Sequence, residues 1–495
     1  MFELASVLSL ANIFFNFAGV VIGITFGAIP GLTATMGVAL FLPFTFSMSP
    51  VASFALLLGI YVGGIYGGSI TAILIKTPGT PSSAATVLDG YPLAEQGKAM
   101  ESLSMATIAS FIGGIFSCVA LILLSPQLAK IALSFGPAEY FAVGLFGLSI
   151  VAALSSGNLL KGMLAALFGL LIATVGMDPV MGTMRFTFGN INLTGGIDFV
   201  SALIGMFAVS EVFSKLEEMG TANGMAGLKS VKGKIVSTKI LVSNTINFLR
   251  SSIIGTIIGI IPATGSGVAS WLAYNEAKRA SKHPELFGKG SFEGVAASET
   301  ANNAVTGGAL VPLLTLGIPG DVVTAVMLGA LMIQGLTPGP LLFTQNREVV
   351  TGIYVMLILA NVFMLLVGLL GINAFVQILK VPTNILMPIV LMLCFVGSYA
   401  INNRISDIGI ALFMGIIGYL FNKVGIPVPP MLLGIILQPI IEANFRRAMT
   451  ISHGEISTFF TRPISLVFII ISIGSFFWPV LSTFIKSKRK GRAIA

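Results

Sequence analysis

The sequence predicts an all-α polytopic membrane protein with about 12 transmembrane helices, additional broken or re-entrant helices, and two inverted structural repeats. Of its 495 residues, 55% are hydrophobic and only 9% are charged, and the mean hydropathy is +0.97. A soluble domain carries about 25% charged residues. Several stretches also contain no Asp, Glu, Lys or Arg over the roughly 20 residues that cross a bilayer: 251–275, 349–379, 381–403 and 463–485.

The first half of the chain is interpreted as seven apolar elements. The first has no basic segment before it and no small-residue cleavage site after it, so it is predicted to be a membrane element and not a removed signal peptide. The next two complete a stretch from Leu4 to Ile75 without any charge. The seven elements lie at 12–29, 32–46, 51–75, 102–125, 138–156, 159–177 and 198–214.

A polar loop at 215–236 separates the halves, and a charged loop at 276–293 interrupts the second half. The elements of the second half lie at 240–261, 264–275, 295–317, 322–335, 349–372, 382–401, 405–422, 427–441 and 463–485. Segments 32–46, 264–275 and 322–335 are too short to span a bilayer, and short Gly/Pro-interrupted segments are typical of half-helices or re-entrant hairpins. The predicted division is a first repeat half 1–214, a cytoplasmic loop 215–239, a second repeat half 240–441, and a last span with its tail, 442–495.

Basic residues cluster beside the membrane elements, which is typical of cytoplasmic loops. The clusters are Lys215, Lys229, Lys232, Lys234 and Lys239, then Lys278, Arg279, Lys282 and Lys289, and finally the tail "KSKRKGR" at 486–492. We therefore predict a cytoplasmic C-terminal tail and no nucleic-acid partner despite the net charge of +8. The side of the N-terminus stays open.

Chemistry-bearing motifs of enzymes are absent from the sequence. The two cysteines, Cys118 and Cys394, stand alone in apolar runs, and the two histidines, His283 and His453, lie in polar contexts. There is no phosphate-binding loop, no metal-ligand spacing and no Ser/His/Asp constellation. The sequence thus predicts a protein that is not an enzyme and needs no cofactor.

Two Gly/Pro motifs occur twice in the same order. "GITFGAIPGLTATMG" (23–37) matches "GTIIGIIPATGSGVA" (255–269) at an offset of 232 residues, and "GGSITAILIKTPGTPSSAATVL" (67–88) matches "GGALVPLLTLGIPGDVVTAVML" (307–328) at 240 to 241. A basic loop follows only the second copy of the first motif. By the positive-inside rule the two copies then face opposite ways, as in inverted-repeat transporters.

These four motifs predict helix breaks within the bilayer, because proline lacks a backbone donor and glycine frees the backbone. Hydroxyl side chains lie just past the breaks: Thr33, Thr35, Thr80, Ser82, Ser83, Thr264 and Ser266. Irregular backbone at membrane depth survives only when it is buried in protein or lines a water-filled cavity. We therefore favour a site over a simple kink or a surface loop tip, but interpret Lys76 and Asp89 as charges that reach the membrane surface.

A third motif, "AASETANNAVTGG" (296–308), places a carboxylate and two carboxamides on one helix face. Glu299, Asn302 and Asn303 follow three- and four-residue spacing. Together they form a plausible oxygen cage for a cation or a proton acceptor, or else Glu299 only meets the dipole of a helix start. We assign these residues to ion coupling, with a possible Na⁺ at Asn302 and Asn303, and add Gly31 and Thr324 beside the breaks.

The sequence resembles the large membrane subunit of tripartite tricarboxylate transporters over nearly the whole chain. The resemblance rests on "GAIPGLTATMGVALFLPFTF", "YGGSITAILIKTPGTPSSAATVLDGYPLAEQGKA", "SETANNAVTGGALVPLLTLGIPGD" and "GALMIQGLTPGP". Lys76 and Ser298 depart from the family pattern, in which position 76 is usually uncharged and position 298 is often proline. This departure leaves the local substrate preference open.

The resemblance implies cation-coupled secondary uptake of a carboxylate, such as citrate or a related organic acid, across the bacterial inner membrane. It also implies a small four-helix membrane subunit, a periplasmic substrate-binding protein that delivers the substrate, and an elevator-like movement. The alternatives are a stand-alone sodium–carboxylate symporter and a passive anion channel. The identity of the carboxylate, the choice between Na⁺ and H⁺, and the oligomeric state stay open.

A multiply charged carboxylate must then be held without arginine, because the four broken motifs contain none. Half-helix N-termini offer free N–H groups and partial positive charge, and hydroxyls add donors. The predicted substrate-binding residues are Thr33, Thr35, Pro78, Gly79, Thr80, Ser82, Ser83, Thr264, Ser266, Pro319 and Gly320.

Overall fold

A computed structural model of the chain describes residues 6–149, 159–178, 181–218, 231, 233–262, 264–378 and 383–475. Eight helices of this part are long and apolar enough to cross a membrane, and five further apolar helices are shorter. The protein is therefore an all-α polytopic membrane protein, which confirms the predicted fold class. The predicted number of about 12 spanning helices is reached only when the shorter helices are counted with the long ones.

The first part of the chain forms helices α1 to α7 and a small hairpin. The helices are α1 (Leu10–Ala28), α2 (Ala34–Phe41), α3 (Pro50–Leu74), α4 (Val87–Glu95), α5 (Ala99–Ala132), α6 (Pro137–Ser149) and α7 (Leu159–Ala173), with 3₁₀ turns at Leu42–Ser47 and Pro81–Ser83. Strands β1 (Gly176–Met177) and β2 (Met184–Arg185) pair antiparallel where the sequence predicted a continuous element to 177. Gly176 has a φ of +120°, which a helix does not allow.

The remaining helices follow the hairpin. They are α8 (Phe199–Leu203), a π-helical turn (Ile204–Val209), α9 (Ser210–Glu218), α10 (Thr238–Ser243), α11 (Thr245–Ile260), α12 (Gly265–Ala280), α13 (Phe292–Leu316), α14 (Val322–Ile333), α15 (Leu342–Gln345), α16 (Arg347–Leu370), α17 (Ile372–Ile378), α18 (Thr383–Asn402), α19 (Ile405–Lys423), α20 (Val428–Ile451), α21 (Thr458–Thr461) and α22 (Pro463–Ser475). Helix α20 continues past its predicted end at 441. The predicted ends at 156 and 485, most of the loop 215–236 and the basic tail 486–492 lie outside the described residues.

Helices α3 and α13 form the centre of the protein. Every residue from Val51 to Ile73 of α3 is buried, and so is every residue from Gly294 to Thr315 of α13. A helix that is apolar all round is expected in such a position, but α13 is not apolar all round, because it carries Glu299, Asn302 and Asn303. The predicted ion-coupling motif therefore lies in the interior of the protein.

Small residues let the helices of each repeated motif approach closely, as is common in membrane proteins. A Cβ atom built on Gly27 of α1 would lie 2.2 Å from the carbonyl oxygen of Gly64 in α3. In the same way, a Cβ on Gly259 of α11 would lie 2.7 Å from the carbonyl oxygen of Val305 in α13. Both glycines stand three residues before the proline of their motif, so the two copies pack in the same manner.

The two Pro-Gly turns also pack alike. A Cβ on Gly79 would lie 2.1 Å from the carbonyl oxygen of Gly27, and a Cβ on Gly320 would lie 2.6 Å from the carbonyl oxygen of Gly259. Each turn therefore rests on the broken helix of its own copy. Such equal packing supports the prediction of a duplicated unit.

Contacts between the copies are reciprocal. Tyr61 of α3 donates a hydrogen bond to Asp321 at the break of the second copy, and Thr86 beside the break of the first copy donates one to Glu299 of α13. Each copy thus contacts the region of the break in the other copy, as a two-fold relation would produce. This pattern agrees with a duplicated unit, while the inverted arrangement, the orientation of the copies in the membrane and the boundaries 1–214, 215–239, 240–441 and 442–495 stay predictions.

Asp89 is not an exposed charge, contrary to the interpretation made from the sequence. It is fully buried in α4, and its Oδ1 accepts hydrogen bonds from three backbone N–H groups of the loop before α13, at 2.8, 2.9 and 2.8 Å from Gly288, Gly290 and Ser291. Lys76 is exposed, as predicted, and its Nζ lies 5.4 Å from the centroid of the Tyr91 ring.

We expect Asp89→Ala to destabilise the loop at 288–291, because three backbone donors lose their common acceptor. Hydrogen bonds to a charged group contribute about 1.5–3 kcal/mol each, so thermal unfolding of the purified protein in detergent should occur several degrees lower. Asp89→Asn keeps one acceptor oxygen and should lie between the wild type and Asp89→Ala. The control is Glu95→Gln, which changes an exposed acid of the same helix. Equal stability of Asp89→Ala and the wild type would contradict the prediction.

Candidate functional site

A cavity of about 500 Å³ opens where the four broken motifs meet. Each motif contributes to its wall through Thr33 and Thr35, Thr80 and Ser82, Ser266, and Asp321. The sequence separations among these residues reach almost 290 positions, so only the fold brings them together. The volume lies within the roughly 300–1,000 Å³ typical of small-molecule sites.

The first break ends α1 and starts α2. Gly31 adopts a φ of +93°, which is open to glycine at little cost. Thr33 then has extended backbone and caps α2, because its Oγ1 accepts a hydrogen bond from the N–H of Met36 at 3.1 Å. The N-terminus of α2 thereby faces the cavity with the hydroxyls of Thr33 and Thr35 beside it.

The second break carries two hydroxyls that point to the same cavity. Thr80 and Ser82 are almost fully buried, and their hydroxyl oxygens lie 2.7 Å apart. Ser83 has a different role, because its hydroxyl donates to the carbonyl oxygen of Thr80 at 2.9 Å and fixes the 3₁₀ turn. Pro78 is exposed and Gly79 is packed on α1, so neither lines the cavity.

The third and fourth breaks precede α12 and α14. Gly265 has a φ of +72° and starts α12, whose first turn places Ser266 on the cavity wall. Asp321 caps α14: its Oδ1 accepts from the Thr324 N–H at 2.7 Å, and its Oδ2 accepts from the Tyr61 hydroxyl at 2.6 Å. Asp321 is the buried carboxylate on this wall, and the sequence analysis did not include it among the site residues.

Two further walls come from segments that the sequence analysis did not connect with the site. One is the π-helical turn and the start of α9, with Met206, Phe207, Ser210 and Glu211. Single π-helical turns inside helices occur frequently at functional sites. The other is the connection from α19 to α20, with Asn422 and the segment 427–429. The Gly/Pro pattern "GIPVPP" at 425–430 could have indicated this second wall from the sequence, whereas no sequence pattern marks Ser210 and Glu211.

Lys215 brings a positive charge to the first break. A Cβ built on Gly31 would lie 2.0 Å from Cε and 2.8 Å from Nζ of Lys215, so the end of this side chain lies directly against Gly31. Glu211 of the cavity wall lies one helical turn earlier on α9. An ammonium group beside Gly31 disfavours the binding of a metal cation at this residue. The sequence analysis predicted neutral surroundings at the breaks, and the Lys215 side chain adds a positive charge to them.

The predicted ion-coupling residues of α13 form a separate polar cluster that does not line the cavity. Glu299 is fully buried and accepts hydrogen bonds from Thr86 and, at 3.3 Å, from Ser110. The hydroxyl of Ser110 also accepts from Asn303 Nδ2 at 2.8 Å. Two hydroxyls thus donate to a carboxylate that has no basic partner among the described residues, and the Asn303 amide supports one of them.

Unsatisfied amide atoms mark this cluster as incomplete. The side chain of Asn302 lies beside Glu299, but within the described part of the chain neither its Nδ2 nor its Oδ1 makes a hydrogen bond of ordinary geometry, and Asn303 Oδ1 has no partner there either. Leaving a buried polar group unpaired costs about 1–3 kcal/mol. Carboxylate and amide oxygens are suited to a hard cation such as Na⁺, so these residues fit the predicted ion.

The structure therefore divides the residues that the sequence assigned to the site. Five predicted substrate-binding residues line the cavity, namely Thr33, Thr35, Thr80, Ser82 and Ser266. The others lie outside its wall: Gly31, Pro78, Gly79, Ser83, Thr264, Glu299, Asn302, Asn303, Pro319, Gly320 and Thr324. Gly79, Ser83, Gly320 and Thr324 pack or hydrogen-bond at the breaks, so they position the cavity wall.

Comparisons with known proteins relate nearly the whole chain to one family and to two bacterial proteins. A profile of the "Tripartite tricarboxylate transporter TctA family" matches residues 13–433. An uncharacterised 52.8 kDa protein from the TAR-I ttuC' 3' region of Agrobacterium vitis is 39% identical over 478 residues, which cover 97% of this chain and 95% of the relative. An uncharacterised protein from the TAR-II ttuC' 3' region of the same organism is 39% identical over 211 residues, or 43% of this chain and 87% of the relative. No solved structure matches the chain.

Proposed function

Because the chain belongs to the tripartite tricarboxylate transporter TctA family and is a multi-pass membrane component of such a transporter, we propose that it performs cation-coupled uptake of a carboxylate. The substrate is a tricarboxylate such as citrate or a related organic acid. It is received from a periplasmic binding protein and crosses the bacterial inner membrane. The observation that carries the proposal is the single cavity at which all four helix breaks meet.

The cavity has the donors that a carboxylate needs. The N-termini of α2 and α12 open onto it at Thr35 and Ser266, and helix N-termini favour anions through free N–H groups and the helix dipole. Thr80 and Ser82 add two hydroxyls. These groups together offset the negative charge of a substrate that meets no arginine on the cavity wall.

The polar cluster around Glu299 is the proposed position of a coupling ion. Its unpaired Asn302 and Asn303 oxygens and the Glu299 carboxylate would hold Na⁺, or Glu299 alone would hold a proton. Glu299 is linked to the first repeat by Thr86, six residues after the cavity residue Thr80. Occupation of this cluster is therefore expected to influence the geometry of the second break.

The family is the large subunit of a tripartite system, so partner subunits belong to the functional unit. We assign to it a small four-helix membrane subunit and a periplasmic substrate-binding protein, with the C-terminal tail of this chain in the cytoplasm. In this arrangement the binding protein sets much of the specificity, and the cavity accepts the delivered carboxylate. The two inverted repeats would move in an elevator-like manner to expose the cavity alternately.

Uptake into proteoliposomes tests the proposal. The chain is reconstituted with the small membrane subunit and the binding protein encoded beside it, and labelled citrate and other carboxylates are offered with Na⁺ or choline outside and with or without a pH gradient. We expect accumulation that needs the binding protein and one of the two ion gradients. Accumulation by this chain alone would identify a stand-alone symporter. Equilibration without accumulation would identify a passive channel, and either result would overturn the proposal.

A further inference from the structure

Asp321 places a carboxylate on the wall of a cavity that is otherwise suited to anions. Its side chain is 7% exposed and accepts hydrogen bonds from the Tyr61 hydroxyl at 2.6 Å and from the Thr324 N–H and hydroxyl at 2.7 and 2.8 Å. No Lys or Arg forms an ion pair with it among the described residues. A buried carboxylate without a basic partner is costly unless a cation accompanies it.

The other charged or titratable groups near Asp321 do not neutralise it. Tyr61 of α3 is its hydrogen-bond donor, and α20 contributes only apolar residues to this part of the wall. On α9, Glu211 lines the same cavity and has interactions of its own, and Lys215 lies beside Gly31 with its own partner. A substrate carboxylate that enters the cavity therefore meets a second carboxylate at close range, and like charges at such a site cannot both stay ionised without compensation.

We propose that Asp321 couples the cation to the substrate: the carboxylate substrate occupies the cavity only when Asp321 has taken up a monovalent cation, H⁺ or Na⁺. This inference rests on the proposed function of the cavity. The Tyr61 and Thr324 hydroxyls lie against the same carboxylate and would complete the oxygen surroundings of Na⁺. Thermodynamic linkage then requires that substrate strengthen cation binding by the same factor by which the cation strengthens substrate binding.

Asp321 and Glu299 occupy related places but act differently in this scheme. Each is buried at a contact between one repeat and the break of the other. Only Asp321 lines the cavity, whereas Glu299 lies behind the break at Thr86. The direct electrostatic effect on substrate affinity is accordingly assigned to Asp321, and Glu299 acts through the geometry of the break.

The test compares Asp321→Asn with the wild type by equilibrium binding of labelled citrate to the purified full-length chain. Asn is as good an N-cap as Asp, so the start of α14 is preserved. We expect the affinity of the wild type for citrate to rise at least tenfold with the coupling cation. In Asp321→Asn this rise should be at least fivefold smaller, because only the cluster around Glu299 still responds to the cation. At saturating cation the affinity of the variant should stay within threefold of the wild type. Varying Na⁺ at fixed pH, and pH at fixed Na⁺, shows which cation is taken up.

Asp89→Asn is the matched control, because it neutralises a buried carboxylate that does not line the cavity, and it should keep the wild-type dependence. An unchanged cation dependence in Asp321→Asn, or loss of citrate binding by the folded variant, would overturn the inference. If that variant does not fold, Tyr61→Phe decides. If Na⁺ is taken up, the concentration needed should rise several-fold because an oxygen beside the ion is lost; if H⁺ is taken up, the concentration needed should fall because the carboxylate loses a donor. No shift in either direction would overturn the inference. A wild-type chain that binds none of the carboxylates tested would instead contradict the proposed function.

Discussion

Gly320→Ala is expected to abolish substrate accumulation and to lower the thermal stability of the protein. A Cβ at this position would lie 2.4 Å from the Cα atom of Ala309 and 2.6 Å from the carbonyl oxygen of Gly259. Both are main-chain atoms of buried residues, so the neighbours cannot give way as a flexible side chain would. Overpacking typically costs about 1–3 kcal/mol and sometimes more, and here any relief must displace the turn that carries Asp321 into the cavity.

The measurements are melting of the purified protein and uptake by reconstituted protein. Gly409→Ala is the matched control, because this glycine lies in the interior of α19 with nothing within 4 Å of a built Cβ. Alanine favours helix over glycine by roughly 1 kcal/mol, so the control should be neutral or slightly stabilising. Gly79→Ala should behave like Gly320→Ala, because its Cβ would lie 2.1 Å from the carbonyl oxygen of Gly27. Normal uptake by a folded Gly320→Ala protein would contradict the prediction that the turn at Gly320 has no room for a Cβ atom.

The composition and the Gly/Pro patterns were sufficient to predict the fold class and the breaks. A chain with 9% charged residues cannot cover a water-facing surface, and the recurrence of glycine three residues before proline had a structural cause. Gly27 and Gly259 are the positions at which the turn of the same copy touches the broken helix. The sequence was therefore sufficient to predict where each helix breaks and that each break occurs twice.

The walls of the cavity could be predicted only in part, because they depend on how distant segments meet. A hydroxyl near a break looks the same in sequence whether it faces the cavity, as Ser82 does, or holds the turn, as Ser83 does. Asp89 shows the same limit: its charge suggested the membrane surface, but three backbone donors of a loop 200 residues away surround it. Such partners have no local signature in the sequence.

The residues that line the cavity and the residues that hold the breaks in place have separate roles at this site. Glycines at the breaks bring main chains into contact, and capping side chains such as Ser83 and Thr324 fix the turns. The hydroxyls left over on the cavity side are then held by packing and do not need to be ordered when substrate arrives. Binding loses less side-chain entropy when donors are held in place beforehand.

Thr80→Val combined with Ser82→Ala should therefore weaken carboxylate binding strongly without unfolding the second break. Thr80 and Ser82 line the cavity with hydroxyl oxygens 2.7 Å apart, and valine and alanine keep most of the shape of the two side chains. Each hydrogen bond to a charged group contributes about 1.5–3 kcal/mol. With tenfold in affinity for every 1.4 kcal/mol, the loss should be about 100-fold or more in the dissociation constant of labelled citrate.

Two single variants separate binding from folding. Ser69→Ala removes a buried hydroxyl of α3 that bonds only to the carbonyl oxygen of Tyr66 and does not line the cavity, so citrate binding should be unchanged. Ser83→Ala removes the bond to the Thr80 carbonyl oxygen and should lower the melting temperature. The double variant should melt close to the wild type, because the Ser83 bond remains. A dissociation constant within threefold of the wild type in the folded double variant would show that these hydroxyls do not bind the substrate, and the site would then have to lie on the helix N-termini alone.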